Sequence, residues 1–364
     1  MESLHGQGAR ILDGVARWVH TNPGWTVAVF DGEPAELARL ARDWQGDGMV
    51  CTPTSDEFQQ ATNCRDIPVV NVSGQVLNHD TVSVVSDHEA CAQLAASYFL
   101  DRGFSRFCFI SNPNSEFGKL LGPTFLARCQ NHGGQATNRV SAIGEERNLG
   151  AWLAEQARPL AIFTDSDRQA SSVLEACHLS GIKVPEEIAV LGVGNQPHLC
   201  ELCTPALSSI DCDLEARGYQ AAALLFRLMS GESTSDNPVR IAPTGVITRR
   251  STNTYAFDDV DLSNALRFIH EHAHESIKVR DVLAATTISR RSLENRFRRY
   301  FSRSLHEEIW RVHFDRAKQL LTTTDLGLQD VAERSGFRTA SALANLFKQR
   351  TGLTPRTYRA EHRR

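Results

Sequence analysis

The sequence predicts an α/β region that is followed by a smaller, all-helical domain. Between residues 25 and 246, short apolar runs alternate with amphipathic stretches, as they do in parallel sheets covered by helices on both faces. Between residues 281 and 358, one short helical pattern occurs twice. The charge changes with the pattern, because residues 1–257 carry 19 Lys+Arg and 29 Asp+Glu, whereas residues 258–364 carry 20 and 14.

The α/β region is predicted from its buried runs and from the helical stretches between them. Strands are expected at residues 26–30, 48–51, 67–72, 107–110, 161–164, 189–193 and 245–248, and helices at residues 33–44, 89–102 and 168–180. Binding sites in such sheets lie beyond the carboxyl ends of the strands. We therefore look for polar side chains directly after these runs.

The helical pattern of the C-terminal region is duplicated with a period close to 50 residues. Asp281 and Asp330 are 49 residues apart, and Phe297 and Phe347 are 50 apart. Each copy has a short helix, a turn and a second helix, on which Leu293 and Phe297 (Leu343 and Phe347 in the second copy) share one face. Two helix-turn-helix repeats are expected, at residues 279–301 and 328–350, with Ser289 as a helix cap and Gly336 in a turn.

An excess of positive charge on such a domain is typical of binding to the phosphates of double-stranded DNA. The alternative is a basic helical interaction domain that touches no DNA. The duplicated helical pattern and the excess of positive charge occur in the same region, which favours binding to DNA.

Residues 309–358 resemble the AraC/XylS class of transcription regulators. The resemblance is carried by residues 316–321, 331–332, 336–337, 347–348 and 351–359. It implies two helix-turn-helix repeats joined by a long helix, at about residues 305–321, which read adjacent major grooves.

The preceding region resembles the periplasmic-binding-protein-like sensor domain of LacI-type regulators. The carrying residues are 67–70, Asp87, 100–104, 161–163, 181–193, 207–210 and 249–252. Together with the AraC-type tail, this arrangement resembles the xylose-responsive regulators. The implied fold is a two-lobed α/β sensor of type I followed by an all-α double helix-turn-helix domain. Its expected boundaries are 1–250 for the sensor, 251–257 for the linker and 258–364 for the DNA-binding domain.

One departure from that resemblance concerns the first lobe. Family members begin with a strand before the segment that corresponds to residues 8–18, and only seven residues precede it here. Either the start was set too far downstream, or the lobe lacks an inner strand. An open inner edge would be an aggregation liability.

A second departure concerns the effector site. Of four polar positions that recur in sugar-binding relatives, only Asp87 is kept. Leu121, Ser166 and Gly194 stand at the other three. The nearest polar residues make Asp87, Lys119, Asp165, Asp167 and Asn195 the candidate effector contacts. Asp87 has the alternative role of capping the helix that follows it.

The first recognition helix is expected to read more sequence than the second. Its candidate base contacts are Arg290, Arg291, Ser292, Glu294 and Asn295, with Arg298, Arg299 and Arg303 at phosphates. The second helix offers Ser341 and Asn345 to bases, and Arg338, Lys348 and Arg350 to the backbone. Alanines separate these residues, and alanine offers a base no hydrogen bond.

The predicted function is a DNA-binding regulator, an activator of carbohydrate-utilisation genes controlled by a sugar or polyol effector. The alternative is a regulator whose sensor is ligand-free or controlled by a partner. Double-stranded DNA, a second copy of the chain and RNA polymerase are the expected partners. No membrane span or secretion signal is expected, which favours the cytoplasm.

Two other classes of site are weighed against the regulator. His198, Cys200, Cys203 and Cys212 offer soft metal ligands or a redox pair, but their spacing is unlike that of known zinc sites, and no metal or cofactor is expected. Asp165 and Asp167 are the nearest approach to a catalytic carboxylate pair. Two aspartates so close after a strand are more typical of a helix cap than of an enzyme.

Overall fold

The structure is a computed structural model that describes residues 7–52, 56–63, 67–73, 82–232, 238–257, 259–301 and 303–362. The chain divides into two compact units. The N-terminal unit contains residues up to 96 together with residues 106–252, and the C-terminal unit contains residues 97–105 and 253–364.

The first sheet of the N-terminal unit is parallel and has four strands. The elements of this lobe are α1 (Gln7–Thr21), α2 (Pro34–Asp43), β1 (Met49–Cys51), α3 (Asp56–Asn63), β2 (Val69–Asn71), β3 (Val82–Ser86), α4 (His88–Leu100), α9 (Leu214–Met229) and β9 (Val239–Ile241). The strand order is β1-β2-β3-β9, with Val50 opposite Val70. Strands β2 and β3 are buried, as apolar runs between two helical layers should be.

The second sheet has six strands and a larger apolar core. Its elements are β4 (Arg106–Ser111), α5 (Glu116–Asn131), β5 (Gln135–Val140), α6 (Glu146–Ala154), β6 (Leu160–Thr164), α7 (Asp167–Leu179), β7 (Ile188–Val193), α8 (Pro197–Leu202), β8 (Ser208–Asp211) and β10 (Gly245–Ile247). The order is β10-β8-β7-β6-β4-β5, and only the β10–β8 pair is antiparallel. The chain therefore crosses between the sheets three times, after β3, after β8 and after β9.

The expected strand at residues 26–30 does not form, and this prediction was wrong. The segment from 25 to 33 has neither helical nor strand structure. Its composition is strand-like, but a strand exists only through pairing with a neighbour. Strand β1 is the edge of the sheet, and no strand of the described residues pairs with residues 26–30.

Helices α1 and α9 cross at two glycines. A side chain on Gly14 would overlap the carbonyl oxygen of Glu215, and one on Gly218 would overlap the carbonyl oxygen of Ile11. Only glycine allows the two backbones to approach this closely. The contact holds the first helix of the chain against the helix that follows β8.

The C-terminal unit is helical. It contains α10 (Val260–Glu271), α11 (Val279–Ala284), α12 (Arg290–Phe301), α13 (Leu305–Thr323), α14 (Leu328–Arg334), α15 (Ala340–Thr351) and α16 (Pro355–His362). One apolar cluster surrounds Leu293 and Phe297, and another surrounds Leu343 and Phe347. Each helix-turn-helix repeat thus has a core of its own, and α13 contributes side chains to both.

The boundary between the two units falls after Thr252. Ser251 and Thr252 lie in a short 3₁₀ turn, are buried, and belong to the N-terminal unit. The Ser251 hydroxyl donates to the carbonyl of Val190 at 2.6 Å and accepts from the amide of Ser208 at 2.9 Å. Residues 253–257 belong to the C-terminal unit, where the amide of Ala256 donates to the carbonyl of Arg102 at 2.8 Å.

Candidate nucleic-acid interface and effector site

The two recognition helices, α12 and α15, begin in the same way. The Ser289 hydroxyl accepts from the amide of Ser292 at 3.3 Å, which confirms the predicted cap. The Thr339 hydroxyl accepts from the amide of Ala342 at 3.2 Å. These caps satisfy an otherwise unpaired amide at each helix start. They also set the direction in which each helix leaves its turn.

The two helices also present the same face to solvent. Positions 291–300 and 341–350 share one order of buried, half-buried and exposed residues. Leu293, Phe297, Leu343 and Phe347 are fully buried. The period of 50 residues in the sequence is therefore a repeat of local environment as well as of residue type.

Most of the predicted DNA contacts lie on this exposed face. The exposed ones are Arg290, Arg291, Asn295, Arg298, Arg299, Arg338, Ser341, Asn345, Lys348 and Arg350. Ser292 is half-buried, and its amide lies against the cap. Long cationic and amide side chains on one face of a helix are suited to base edges and phosphates.

Glu294 differs from its neighbours. It is half-buried, and its carboxylate accepts from the amide of Leu305, the first residue of α13, at 3.4 Å. An acidic group near a helix N-terminus is stabilised by the exposed amides there. Glu294 therefore joins α12 to α13.

Asp259 and Asp261, which were not predicted as functional residues, attach the first helix-turn-helix repeat to α10. Asp259 forms an ion pair with Arg296 of α12. Asp261 accepts from the amide of Thr287 at 2.7 Å, and this hydrogen bond lowers the pKa of the Asp261 carboxyl. Arg296 stands among several arginines of similar appearance, so its structural role is visible only from its partner.

A buried carboxylate organises the start of α13. Glu308 is 1% exposed and lies 2.6 Å from both Arg303 and Arg311. Burial disfavours its ionised form, but the hydrogen bond and positive charge of Arg311, with Arg303, hold its pKa below the ordinary value. Arg303, which was predicted to meet a DNA phosphate, and Arg311 thus both pair with a carboxylate inside the domain.

The turn of the second repeat is built around Gly336. Its φ is +78°, and a Cβ atom there would lie 2.6 Å from the carbonyl of Glu275 and from the ring of His313. His313 is buried, which lowers its pKa to about 4. A neutral imidazole therefore fills the space below the turn at neutral pH.

The predicted effector residues of β6 and β7 meet at one edge of the second sheet. Asp165 and Asp167 follow β6, and Asn195 follows β7. All three are buried, and burial raises the pKa of both carboxyls. The position agrees with the rule that sites lie beyond the carboxyl ends of parallel strands.

Each of these groups is bonded within the protein. Asp165 accepts from the amide of Asn112 at 2.9 Å, and Asp167 accepts from the amide of Gln196 at 2.7 Å and from the hydroxyl of Ser209. The Asn195 side chain donates to Asp211 at 2.8 Å. A ligand that binds at this edge has to replace these hydrogen bonds with its own or form additional ones.

Arg10, Asp211 and Arg249 complete the arrangement, and the sequence analysis gave none of them a site role. Arg10 donates to the carbonyls of Gly194 and Asn195 at 3.3 and 3.2 Å, and pairs with Asp211 at 3.3 Å. Arg249 donates to the Asn195 side-chain oxygen at 3.1 Å. We call Arg10, Asp167, Asn195, Ser209, Asp211 and Arg249 the polar network. No local signal identifies Arg10, which stands 201 residues before Asp211.

Asp87 and Lys119, like Asp165, lie outside this network. Asp87 is half-buried and accepts from the amide of Ala90 at 2.9 Å, so it caps α4 as its alternative role requires. Lys119 is exposed and forms an ion pair with Glu116 on the same helix. The five predicted side chains are thus not gathered into one cluster.

The cysteine and histidine cluster shows a mixture of environments. Cys200 is buried near Asp167, burial raises its pKa, and His198 is exposed. The cysteines in the described part of the chain are free thiols. Within the described ranges, no group of three or more His, Cys, Asp or Glu side chains is arranged to hold a metal ion.

A search of the described helices for membrane spans finds none that is both long and apolar enough to cross a bilayer.

Comparison with known proteins identifies both parts of the chain. Residues 96–252 match the periplasmic binding protein-like domain, and residues 282–361 match a helix-turn-helix domain. The xylose operon regulatory protein of Escherichia coli K12 is 27% identical, over 96% of this chain and 93% of its own length. The protein of that name from Haemophilus influenzae is 29% identical, over 96% and 94%.

A solved structure supports the same relationship along the whole chain. The xylose-binding transcription activator xylR is 25% identical and superposes with a TM-score of 0.62, covering 98% of this chain and 96% of that one. These relatives are transcription regulators. The chain is accordingly a DNA-binding transcription regulator that joins a LacI-type, periplasmic-binding-protein-like domain to an AraC-type helix-turn-helix domain, and it is homologous to the xylose operon regulators.

Proposed function

We propose that this regulator binds one operator through α12 and α15 in successive major grooves, under the control of a pentose-class sugar. The observation that carries the DNA-binding arrangement is the shared exposure of positions 291–300 and 341–350. Helix α13, with 19 residues, is about 28 Å long at 1.5 Å per residue. That length suits two recognition helices that enter successive DNA major grooves about 34 Å apart.

Base reading is assigned mainly to the first repeat. Arg290, Arg291 and Asn295 are exposed at the start of α12, where recognition helices approach base edges. Arginine bonds guanine through two atoms, and asparagine does the same for adenine. Ser292 and Ser341 each offer a base a single hydrogen bond. Asn345 offers the amide side chain of the second repeat to a base.

Positioning on the backbone is assigned to the remaining cations. Arg298, Arg299, Arg338, Lys348 and Arg350 are exposed near the ends of the two recognition helices. Phosphate contacts of this kind fix register without reading sequence. We assign Glu294 to the joint between α12 and α13 instead of to cytosine, because its carboxylate has a protein partner.

The effector is proposed to be a sugar of the xylose class. Two curated relatives, each matching over more than nine-tenths of both chains, are regulators of a xylose operon, and the solved relative is described as xylose-binding. Hydroxyl groups of a pentose are bound by carboxylate, amide and guanidinium groups together. Asp165, Asp167 and Asn195 supply the first two kinds, and Arg10 and Arg249 supply the third.

A sensor that binds no ligand is the second candidate, and the polar network favours it. Asn195 already bonds to Asp211 and Arg249, and Asp167 bonds to Ser209 and Gln196. A sugar bound there gains little unless its own hydroxyls replace these bonds equally well. In that case a protein partner or the amount of regulator would control transcription.

Activation, dimerisation and contact with RNA polymerase are proposed as parts of the same mechanism. A ligand that binds one conformation of the sensor more tightly shifts the population toward it. In a homodimer, such a shift would alter the spacing of two DNA-binding domains and their approach to RNA polymerase. Its target, the chromosome, places this activity in the cytoplasm.

The test uses the full chain in two steps. Selection from random double-stranded DNA should enrich one bipartite sequence, whose binding weakens steeply with salt. Calorimetric titration with D-xylose, and with D-ribose and D-glucose as matched sugars, should then show binding to the chain and to its DNA complex.

Each outcome separates the two candidates. Xylose binding that Asn195→Ala weakens, together with altered operator affinity, supports the sugar sensor. If the chain binds its operator, and calorimetric titration detects no binding of any of the sugars at millimolar concentration, the ligand-free regulator is supported. Failure to enrich any DNA sequence would contradict both.

A further inference from the structure

Two buried cysteines meet where the chain passes between the two sheets of the N-terminal unit. Cys91 lies near the start of α4, the helix that follows β3, and Cys212 comes directly after β8. Their sulfur atoms are 3.8 Å apart, although 121 positions separate the two residues in the sequence. Both side chains are buried, with exposed fractions of 0% and 3%. We call this pair the hinge thiols.

The contact between the hinge thiols is not visible in the sequence. There, Cys212 stands nearest to Cys200 and Cys203, which have the C-x-x-C spacing of a redox motif. In the structure, the sulfur atom that contacts Cys212 is that of Cys91. A disulfide bond is about 2.05 Å long, so these two sulfur atoms have to approach each other by about 1.8 Å to form one.

The two thiols hold their protons unequally. The hydrogen bond with Cys212, followed by burial, raises the pKa of the Cys91 thiol. The carboxylates of Asp87 and Asp211 raise the pKa of Cys91 further, because they disfavour another negative charge nearby. Cys91 therefore keeps its proton, and the thiolate of the pair forms at Cys212, where it accepts the hydrogen bond of Cys91.

A buried guanidinium group accompanies Cys212. Arg217, in the first turn of α9, is 5% exposed and donates to the hydroxyl of Ser86, at the end of β3, at 3.3 Å. Its Nε atom is buried and has no hydrogen-bond partner among the described residues. Burial lowers the pKa of Arg217 to about 10, whereas negative charge on Cys212 raises it. Buried cations are stabilised by a nearby anion, and a Cys212 thiolate supplies one.

Cys91, Cys212 and Arg217 together have the arrangement of a redox-active cysteine pair. The thiolate, not the thiol, is the nucleophile, and a neighbouring cation favours the thiolate. A second thiol in contact with the first converts its initial oxidation product into a disulfide. Cys129 lacks these neighbours, and burial raises its pKa to about 12, so it remains a thiol at neutral pH.

We propose that the hinge thiols are a site of reversible oxidation, at which hydrogen peroxide converts Cys91 and Cys212 into a disulfide. A small, uncharged oxidant is required because both side chains are buried. The Cys212 thiolate attacks one peroxide oxygen, so that a sulfur–oxygen bond forms, the oxygen–oxygen bond breaks, and hydroxide leaves and takes up a proton. The Cys91 sulfur then attacks the Cys212 sulfur, and the hydroxyl group leaves as water with the proton of Cys91.

The reaction consumes two thiols and one peroxide and yields one disulfide and two water molecules. Both sulfur atoms are oxidised and the peroxide is reduced. A dithiol reductant reverses the oxidation by thiol–disulfide exchange. Transient disulfides of this kind are the ones found in reducing compartments, where they serve catalysis or redox sensing.

The disulfide joins two of the segments through which the chain passes between the lobes. A cross-link removes the conformations in which the joined segments are apart. Because the lobes move relative to each other by changes at their crossings, oxidation should restrain that movement and alter the affinity for an effector. This consequence rests on the proposed function, whereas formation of the disulfide does not.

The test uses the full chain, reduced with dithiothreitol and then freed of the reductant. It is treated with graded amounts of hydrogen peroxide, blocked with an alkylating reagent and digested without reduction. Mass spectrometry should find the peptides of Cys91 and Cys212 joined, and dithiothreitol should separate them. If both cysteines stay reduced at peroxide levels that oxidise the methionines of the same chain, the contact is one of packing only and the proposal is overturned.

Single variants assign a role to each sulfur. Cys91→Ser should leave Cys212 as a sulfenic acid that dimedone traps, because the second thiol is missing. Cys212→Ser should leave Cys91 as a thiol that dimedone does not label. Cys200→Ser, another buried cysteine, should form the disulfide as the unaltered chain does. A disulfide from Cys212 to Cys200 or Cys203 in place of Cys91 would contradict the proposal.

The guanidinium group is tested separately. Arg217→Met should slow disulfide formation by about tenfold, which is the change in thiolate fraction that one pKa unit brings. Arg217→Lys keeps the positive charge and should restore most of the rate. Equal rates for the unaltered chain and Arg217→Met would show that Arg217 does not activate Cys212. The peptide analysis of the unaltered chain needs no variant, so it decides the proposal even where a variant does not fold.

None of these measurements requires DNA or a sugar. A chain that forms the disulfide but selects no DNA sequence would contradict the proposed function alone. A chain that binds its operator and xylose but never forms the disulfide would contradict the redox site alone.

Discussion

Asn295 and Asn345 occupy equivalent positions on the two recognition helices. Each is exposed, follows a buried leucine by two residues and precedes a buried phenylalanine by two. Four residues before each asparagine, however, the side chains differ, with Arg291 in the first repeat and Ser341 in the second. The two helices therefore have the same arrangement of buried and exposed positions, but they present different side chains to the bases.

Replacing Arg291 by alanine should cost about 1–3 kcal/mol of operator binding and relax the preference at one base pair. Replacing Ser341, its equivalent in the second repeat, should cost less, because a hydroxyl forms one hydrogen bond where a guanidinium forms two. The measurement is a titration of labelled operator and of its single-base variants. Arg267→Ala, an exposed arginine on α10, is the control. Unchanged binding by Arg291→Ala would remove it from the base-reading set.

Lys348 and its equivalent, Arg298, should contribute to binding without contributing to specificity. Alanine at either position should weaken binding to all sequences by a similar factor, because phosphate is common to all. The slope of log affinity against log salt should become less steep by about 1. Gln349→Ala, an exposed neutral neighbour of Lys348, should leave the slope unchanged. A change at one base pair only would indicate a base contact instead.

Alanine at Gly336 should destabilise the C-terminal unit more than alanine at Gly352. Both glycines have a positive φ, +78° and +75°, so backbone strain is similar in the two variants. Only at Gly336 does a methyl group meet neighbours, the carbonyl of Glu275 and the ring of His313. Calorimetric unfolding should show an additional loss of about 1–3 kcal/mol for Gly336→Ala. Equal losses would mean that the turn relaxes without disturbing His313.

Lowering the pH should destabilise the C-terminal unit, beginning at pH values above those at which ordinary carboxylates bind protons. Burial lowers the pKa of His270 well below its ordinary value and that of His313 to about 4. Between pH 6.5 and about 4, the unfolded chain binds protons at these positions and the folded chain does not. The free energy of unfolding should therefore fall as the pH decreases through this window.

Hydrogen exchange of the α10 and α13 peptides, measured at several pH values, checks this expectation. His270→Met removes one of the two titrating groups and should flatten the dependence. His274→Gln, at a more exposed position, serves as the control. If His270→Met left the pH dependence unaltered, protonation of His270 would not be what opens the unit.

The sequence by itself determined the features that depend on neighbours along the chain. The period of 50 residues, the Leu–Phe pairs of α12 and α15, the Ser289 cap and most of the parallel strands follow from local spacing and apolar runs. These features can be read from spacing, because a helix satisfies its own backbone and an apolar run of strand length is typical of a buried strand.

Only the tertiary structure decided which polar groups meet. Arg10 and Asp211 are 201 residues apart, and Asp165, Asp167 and Asn195 are bonded to protein groups that no local pattern connects with them. Glu294 was predicted to contact a base, but its carboxylate bonds to the amide of Leu305, and the neighbouring Arg296 pairs with Asp259.

Residues 26–30 illustrate the physical reason for this division. Their composition predicts a strand, yet a strand's hydrogen bonds are made to another segment, and no strand of the described residues pairs with them. Local sequence sets what a segment prefers. Contacts with distant segments determine whether that preference is realised.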